Sequence, residues 1–216
     1  MNIREVTAMK DNYALSLEAA RRHFLSYDPG TLARRPGVGQ QGPWLTTRFL
    51  GAEARIHGQT GKIFLSRDGF ESCWEADFSE ALSVYDWLCD RKPDAAPSGE
   101  FCPVGSLPGV YVGGSGLSMT GGTLPQRIDR DPQGFQTACT ALGAVPVAMG
   151  DLGLRLYVFP DLPMLVKFYH GDEDFPPSLT LLWDKNTLRF VRYETVYYIA
   201  GCLLKYISHR MNREQV

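Results

Sequence analysis

Met164-Leu165-Val166-Lys167-Phe168-Tyr169, then His170-Gly171-Asp172-Glu173-Asp174-Phe175-Pro176-Pro177, then Ser178-Leu179-Thr180-Leu181-Leu182-Trp183, is the stretch whose reading decides the fold. Two apolar runs of strand length flank a polar segment rich in glycine, proline and acidic residues, so they read as strands joined by a turn. Leu165, Val166 and Phe168 crowd more apolar side chains together than one solvated face allows, which predicts a strand covered on both sides. Working outward, Val145 to Ala148 and Leu154 to Phe159 also read as strands. Downstream, Val196, Ile199, Ala200, Leu203 and Ile207 recur at helical spacing and predict a helix over Tyr193 to Arg210. Glu194 in its first turn and His209 and Arg210 in its last suit the helix dipole.

The amino-terminal half follows the same alternation of patterns. Tyr13, Leu17, Ala20 and Phe24 predict a helix from about Asp11 to Tyr27, with Asp28-Pro29-Gly30 as its stop and Arg34 to Pro43 as a loop. Trp44 to Leu50, Ala54 to His57 and Lys62 to Ser66 read as a short antiparallel meander. Asp77 with Glu80 three residues on predicts a capped helix over Phe78 to Asp90, buried through Phe78, Leu82, Tyr85 and Cys89. Asp131, Pro132 and Gly143 bracket a third helix. Strands cluster rather than alternate with helices, so the expected class is α+β, with a largely antiparallel sheet and about four helices, including long ones at both ends. Pro93 to Gly99 reads as a surface loop or weak boundary within a single domain spanning 1–216.

Composition narrows the classes further. The 216 residues hold 22 Lys and Arg against 24 Asp and Glu, a net charge of −2, with 44% hydrophobic residues. That balance excludes a disordered chain and gives no general attraction to nucleic acid or anionic lipid. The start of the chain is charged rather than apolar, and no apolar run approaches the ~20 residues of a membrane span. A cytoplasmic setting is expected. The five cysteines are scattered, without a C-x-x-C pair, and Cys89, Cys139 and Cys202 fall on apolar helix faces. His23 and His209 are expected on helix surfaces.

Two segments stand out as candidate sites. Phe101 to Thr123 holds seven glycines, with only Gly109 to Val112 strand-like. It fails the dinucleotide fingerprint at the third glycine and lacks the lysine of a phosphate loop, so a plain loop competes with a binding loop or lid. The acidic turn Asp172-Glu173-Asp174 could face a hard cation, yet Phe175-Pro176-Pro177 occupies the space an EF-hand loop would need, and no metal is assigned. A charged turn is the competing reading. The expected ligand site joins Tyr111, Gly113, Gly114 and Gly116 to His170, Asp172, Glu173, Asp174 and Phe175, with Asp184 closing the next strand. Tyr111 and Phe175 would form apolar walls and the carboxylates would orient the ligand.

Leu162-Pro163-Met164-Leu165, the run Tyr169 to Pro177, Leu181-Leu182-Trp183-Asp184 and Glu194 opening the last helix resemble the domain of unknown function 3786 family of anaerobic bacteria and archaea. The order of elements from Tyr13 onward fits as well. In that family the domain sometimes follows an Fe–S cluster-binding segment like that of corrinoid proteins of one-carbon metabolism; this sequence has no such paired cysteines. The resemblance implies a fold and a metabolic setting, and it names no cofactor and no reaction. The expected function is a module binding a small molecule, a cofactor or a redox or corrinoid protein partner. The alternatives are a transferase-like enzyme with a glycine lid, and an interaction module anchored by Phe175-Pro176-Pro177.

Overall fold

A computed structural model describes residues 3–110 and 123–213, with side chains from 12 to 110 and from 123 to 212. The first helix, α1 (Ile3–Leu25), begins earlier than its apolar stripe suggests. Phe24 is buried and Leu17 and Ala20 pack on the core, while Tyr13 lies 44% exposed against the Phe78 ring. Helix α1 ends before Asp28-Pro29-Gly30, as expected, but Pro29 at once opens a further helix. Asp28 accepts a hydrogen bond from the Thr31 N–H and caps a short helix, α2 (Pro29–Ala33), because a proline at the first helical position surrenders only an N–H that is unpaired there anyway.

The meander is larger than its three expected strands. β1 (Gly39–Gln41), β2 (Trp44–Phe49), β3 (Ala52–His57), β4 (Ile63–Ser66) and β5 (Trp74–Glu75) pair antiparallel in that order. The β2–β3 turn takes positive φ at both central residues, 45° at Leu50 and 77° at Gly51, the geometry whose twist matches a hairpin. Leucine is strained there. Its fully buried side chain, its N–H bonded to the Val158 carbonyl at 2.9 Å and its own carbonyl bonded to Arg67 at 3.0 Å hold it.

A second sheet runs β6-β10-β9-β8-β7, built from β6 (Phe101–Cys102), β7 (Val145–Val147), β8 (Leu152–Phe159), β9 (Leu162–Tyr169) and β10 (Ser178–Asp184), all antiparallel. The single sheet of the sequence reading is thus two. Strand β9 is buried from Leu162 through Val166, as its apolar run requires. In the described part of the glycine-rich stretch Phe101–Cys102 is a strand and Gly109 and Val110 are not; the rest of the expected strand, Tyr111 and Val112, lies outside the described residues. Among the described residues there are seven α-helices, the extra ones being short: α2, α4 (Leu124–Arg130) and α6 (Thr187–Phe190).

Helix α3 (Phe78–Cys89) lies where the two sheets meet. Trp87 stacks on Phe159 of β8 at 4.6 Å, and Phe159 packs on Phe49 of β2 at 5.2 Å. Each such ring contributes about 2–3 kcal/mol by leaving water. The expected one-sided stripe is therefore incomplete: Phe78 and Leu82 are only half-buried, whereas Glu80, Ser83 and Asp86 are buried. Helices α1 and α7 (Tyr193–Arg213) pack on α3, and α5 (Pro132–Thr140), capped by Asp131 as expected, packs on α7. Cys89, Cys139 and Cys202 are buried; burial pushes each thiol up to about 12, the Asp90 and Asp86 charges adding to it at Cys89 and those of Asp77 and Glu80 at Cys202.

Candidate functional site

The acidic turn forms as a self-contained loop between β9 and β10. Asp172 accepts the N–H groups of Asp174 at 2.9 Å and Phe175 at 2.7 Å, while its own N–H donates to the Phe175 carbonyl. Its carboxylate closes the turn. His170 lies 2.7 Å from Asp129 of α4 through Nδ1, and its N–H donates to Asp151 at 2.8 Å. The His170 hydrogen bond holds the Asp129 carboxyl below its ordinary range. Glu173 and Asp174 stand in solvent and Phe175 is 71% exposed.

His170, Asp172, Glu173, Asp174 and Phe175 are thus brought together. Asp184 is not with them: it ends β10, about 20 Å along the strand from the turn. Completely buried, it accepts from the Ser98 N–H and hydroxyl, the Gly99 N–H and the Asn186 N–H at 2.8–3.0 Å. It ties down the 93–99 segment. Tyr111, Gly113, Gly114 and Gly116 lie outside the described residues. Among those residues, no three His, Cys, Asp or Glu side chains converge on a metal position.

The chemistry converges elsewhere. The Ser66–Trp74 connection, the start of α3 and the carboxyl-terminal half of α7 enclose a cleft of about 650 Å³. Its floor is Glu80, 1% exposed. One Glu80 oxygen accepts the Tyr206 hydroxyl at 2.5 Å and Lys205 Nζ at 3.4 Å; the other accepts the Asp77 N–H at 2.8 Å and Trp74 Nε1 at 3.3 Å. Asp77 returns the capping bond to the Glu80 N–H at 3.0 Å and pairs with Lys205 at 2.6 Å. The capping box read from the sequence is therefore also the bottom of a cavity.

The walls are aromatic and cationic. Arg67 reaches across the cleft from the end of β4, its guanidinium 4.6 Å from the Tyr206 ring and 5.7 Å from the Trp74 ring. Nη1 holds the Leu50 carbonyl at 3.0 Å, while Nη2 is buried without a hydrogen-bond partner among the described residues. Burial lowers the Arg67 pKa, with Arg210 pushing the same way and Tyr206 and Glu80 opposing. Burial and the Glu80 hydrogen bond drive the Tyr206 phenol far above its ordinary range. Burial works against the Lys205 charge, but Asp77 and Glu80 outweigh it and hold the ammonium above its usual value. At the rim, hydrogen bonds from Ser72 and Ser66 hold Asp68 at about 2.

Two further concavities differ in kind. In a groove of about 600 Å³ between α1, α3 and α7 the acidic and basic side chains partner one another among the described residues, Glu194 excepted: His23 lies 3.3 Å from Asp90, and Arg192 pairs with Asp86 and Asp90 at 2.8 Å. A shallower one of about 390 Å³ lies on the meander beside Arg55 and Phe70.

None of Arg67, Trp74, Lys205 or Tyr206 was a candidate from the sequence, and Arg210 was read only as a helix-end charge. The available signal was Lys205-Tyr206 followed by His209-Arg210, two polar pairs four residues apart on one side of an otherwise apolar helix. No curated protein and no solved structure matches the chain. A family model does, over residues 28–206, from the cap of α2 to the tyrosine over the cleft. The chain belongs to the family described as Domain of unknown function (DUF3786).

Proposed function

We propose that the protein binds a small molecule in the cleft between Arg67, Trp74 and α7. The observation supporting this most directly is a cavity of ligand size with aromatic walls and a guanidinium nitrogen that has no partner among the described residues. Binding fits these groups better than proton transfer does. Tyr206 is held protonated and Lys205 charged, so neither is poised as a base near neutral pH. The wider setting drawn from the family resemblance is anaerobic redox or one-carbon metabolism in the cytoplasm, with the chain acting as one domain. Native mass spectrometry of protein purified anaerobically tests the reading: added small-molecule mass that disappears in Trp74→Ala is expected. Added mass that persists in that variant, or no added mass together with no ligand-dependent change at Trp74, overturns it.

A partner-docking role for the β9–β10 turn is the second reading, favoured by the exposure of Phe175 on a turn braced by Asp172 and Asp129. A complex of the purified protein that survives Phe175→Ser would remove it.

A further inference from the structure

Taking the cleft as the ligand site, we infer that its ligand presents an oxyanion, a phosphate or carboxylate, to Arg67 and Arg210. The inference rests on which charges the fold has already used. Glu80 accepts four hydrogen bonds, Asp77 is divided between the Glu80 N–H and Lys205, and Asp68 takes the hydroxyls of Ser66 and Ser72 and the Ser72 N–H. Of the lining carboxylates only Glu75, at the exposed rim, has no hydrogen bond among the described residues. Lys205 is used by the same acids. The cationic side is used less completely: Arg67 has one nitrogen bonded to Leu50 and another with no hydrogen-bond partner among the described residues, and Arg210 lies near enough for its charge to bear on Arg67.

Two guanidinium groups of like charge lining one cavity, one with an unpaired buried donor, are an unfavourable arrangement by themselves. An oxyanion between them supplies the missing acceptor and cancels the repulsion, and the planar guanidinium fork fits phosphate or carboxylate oxygens. His209, beside Arg210 on the rim, adds a third donor. A cationic ligand would find Asp68 and Glu75 at the rim, but it would leave the Arg67 nitrogen without an acceptor and add to the repulsion between Arg67 and Arg210. The rings of Trp74 and Tyr206 flank the same space, so the anion is expected on a molecule with a flat apolar part.

The test is a titration of 15N-labelled protein at fixed ionic strength, read at the Trp74 indole N–H and assigned with Trp74→Phe. The probes are phenyl phosphate, benzoate, benzamide and benzamidine, alike in their ring and different in charge. Phenyl phosphate and benzoate are expected to bind at least about tenfold more tightly than the neutral and cationic probes, the tighter of the two showing whether phosphate or carboxylate is preferred. Arg210→Gln, on a partly exposed helix face, is expected to weaken the anions about tenfold and leave benzamide unchanged. Arg67→Lys is the second variant, used with a check of its folding because Arg67 also holds Leu50. Benzamide or benzamidine binding as well as the anions, or anion binding indifferent to Arg210→Gln, overturns the inference while the cleft stands as a binding site. Silence of the Trp74 resonance to all four probes overturns both.

Discussion

Replacing Glu80 by alanine probes whether the cleft floor is a rigid, satisfied network. Two of its four hydrogen bonds are short: 2.8 Å to the Asp77 N–H, which closes the capping box, and 2.5 Å to the Tyr206 hydroxyl. The bonds to Trp74 and Lys205, at 3.3 and 3.4 Å, are longer and contribute less. Hydrogen bonds to a charged group are worth about 1.5–3 kcal/mol, and an abandoned buried donor costs a similar amount. Two strong bonds, discounted for the relief of desolvating a carboxylate, give an expected loss of about 3 kcal/mol. Urea unfolding followed by far-ultraviolet circular dichroism measures it. With a slope of roughly 2 kcal/mol per molar, the midpoint should fall by about 1.5 M at unchanged slope.

Glu80→Gln keeps the shape and one acceptor but turns an amide toward donors, so about half that loss is expected. A double-mutant cycle with Tyr206→Phe should return a coupling of at least about 1 kcal/mol, since the two side chains share one short bond. A loss below about 1 kcal/mol for Glu80→Ala would refute the reasoning: it would mean that water substitutes freely at the floor and that Tyr206 and Trp74 are not held in place by the carboxylate.

Other consequences are open to simple measurement. In native protein a thiol reagent at pH 8 should modify Cys73 rapidly and spare Cys89, Cys139 and Cys202, whose thiols burial holds near 12; all five should react in denaturant, and fast native labelling of any of those three would contradict the packing. Asp184→Ala should cost about 2–4 kcal/mol and open the 93–99 segment to limited proteolysis, because four donors lose their acceptor; unchanged proteolysis would show that Asp184 does not fasten that loop. Tyr206 is protonated in the fold at a pH where the unfolded chain has ionised, so its contribution is complete below pH ~10 and declines as pH rises beyond that. Tyr206→Phe should therefore flatten the alkaline fall in stability without abolishing it, since burial also raises Tyr85 to about 12, and an unaltered slope would refute this assignment.

The division between what was legible in the sequence and what was not follows the range of the interactions involved. Asp77 with Glu80, Asp131 as a helix cap, and the apolar run of β9 are decided within a few residues, and the structure carries each as read. Pro29 and Pro125 carry a second signal that the pattern alone does not give: Asp28-Pro29-Gly30 does end α1, but each proline also sits in the first turn of a further short helix. The surroundings of α3 could not be read, because its buried polar residues are satisfied by side chains far away in sequence, Glu80 by Tyr206 and Asp86 by Arg192. Asp184 looked like a turn residue for the same reason, its partners Ser98 and Gly99 lying more than 80 positions earlier. The cleft is the extreme case. Local pattern assigns Glu80 to a helix cap, Tyr206 to a helix and Arg67 to the end of a strand, and each assignment is right. Only the packing of α7 across α3, beside the connection that follows β4, turns three separately ordinary residues into a floor, a wall and a cation facing one another. A binding site assembled in this way leaves its mark in sequence as polar residues tolerated on otherwise buried faces, and Glu80 and Asp86 on α3 are where that mark stands in this chain.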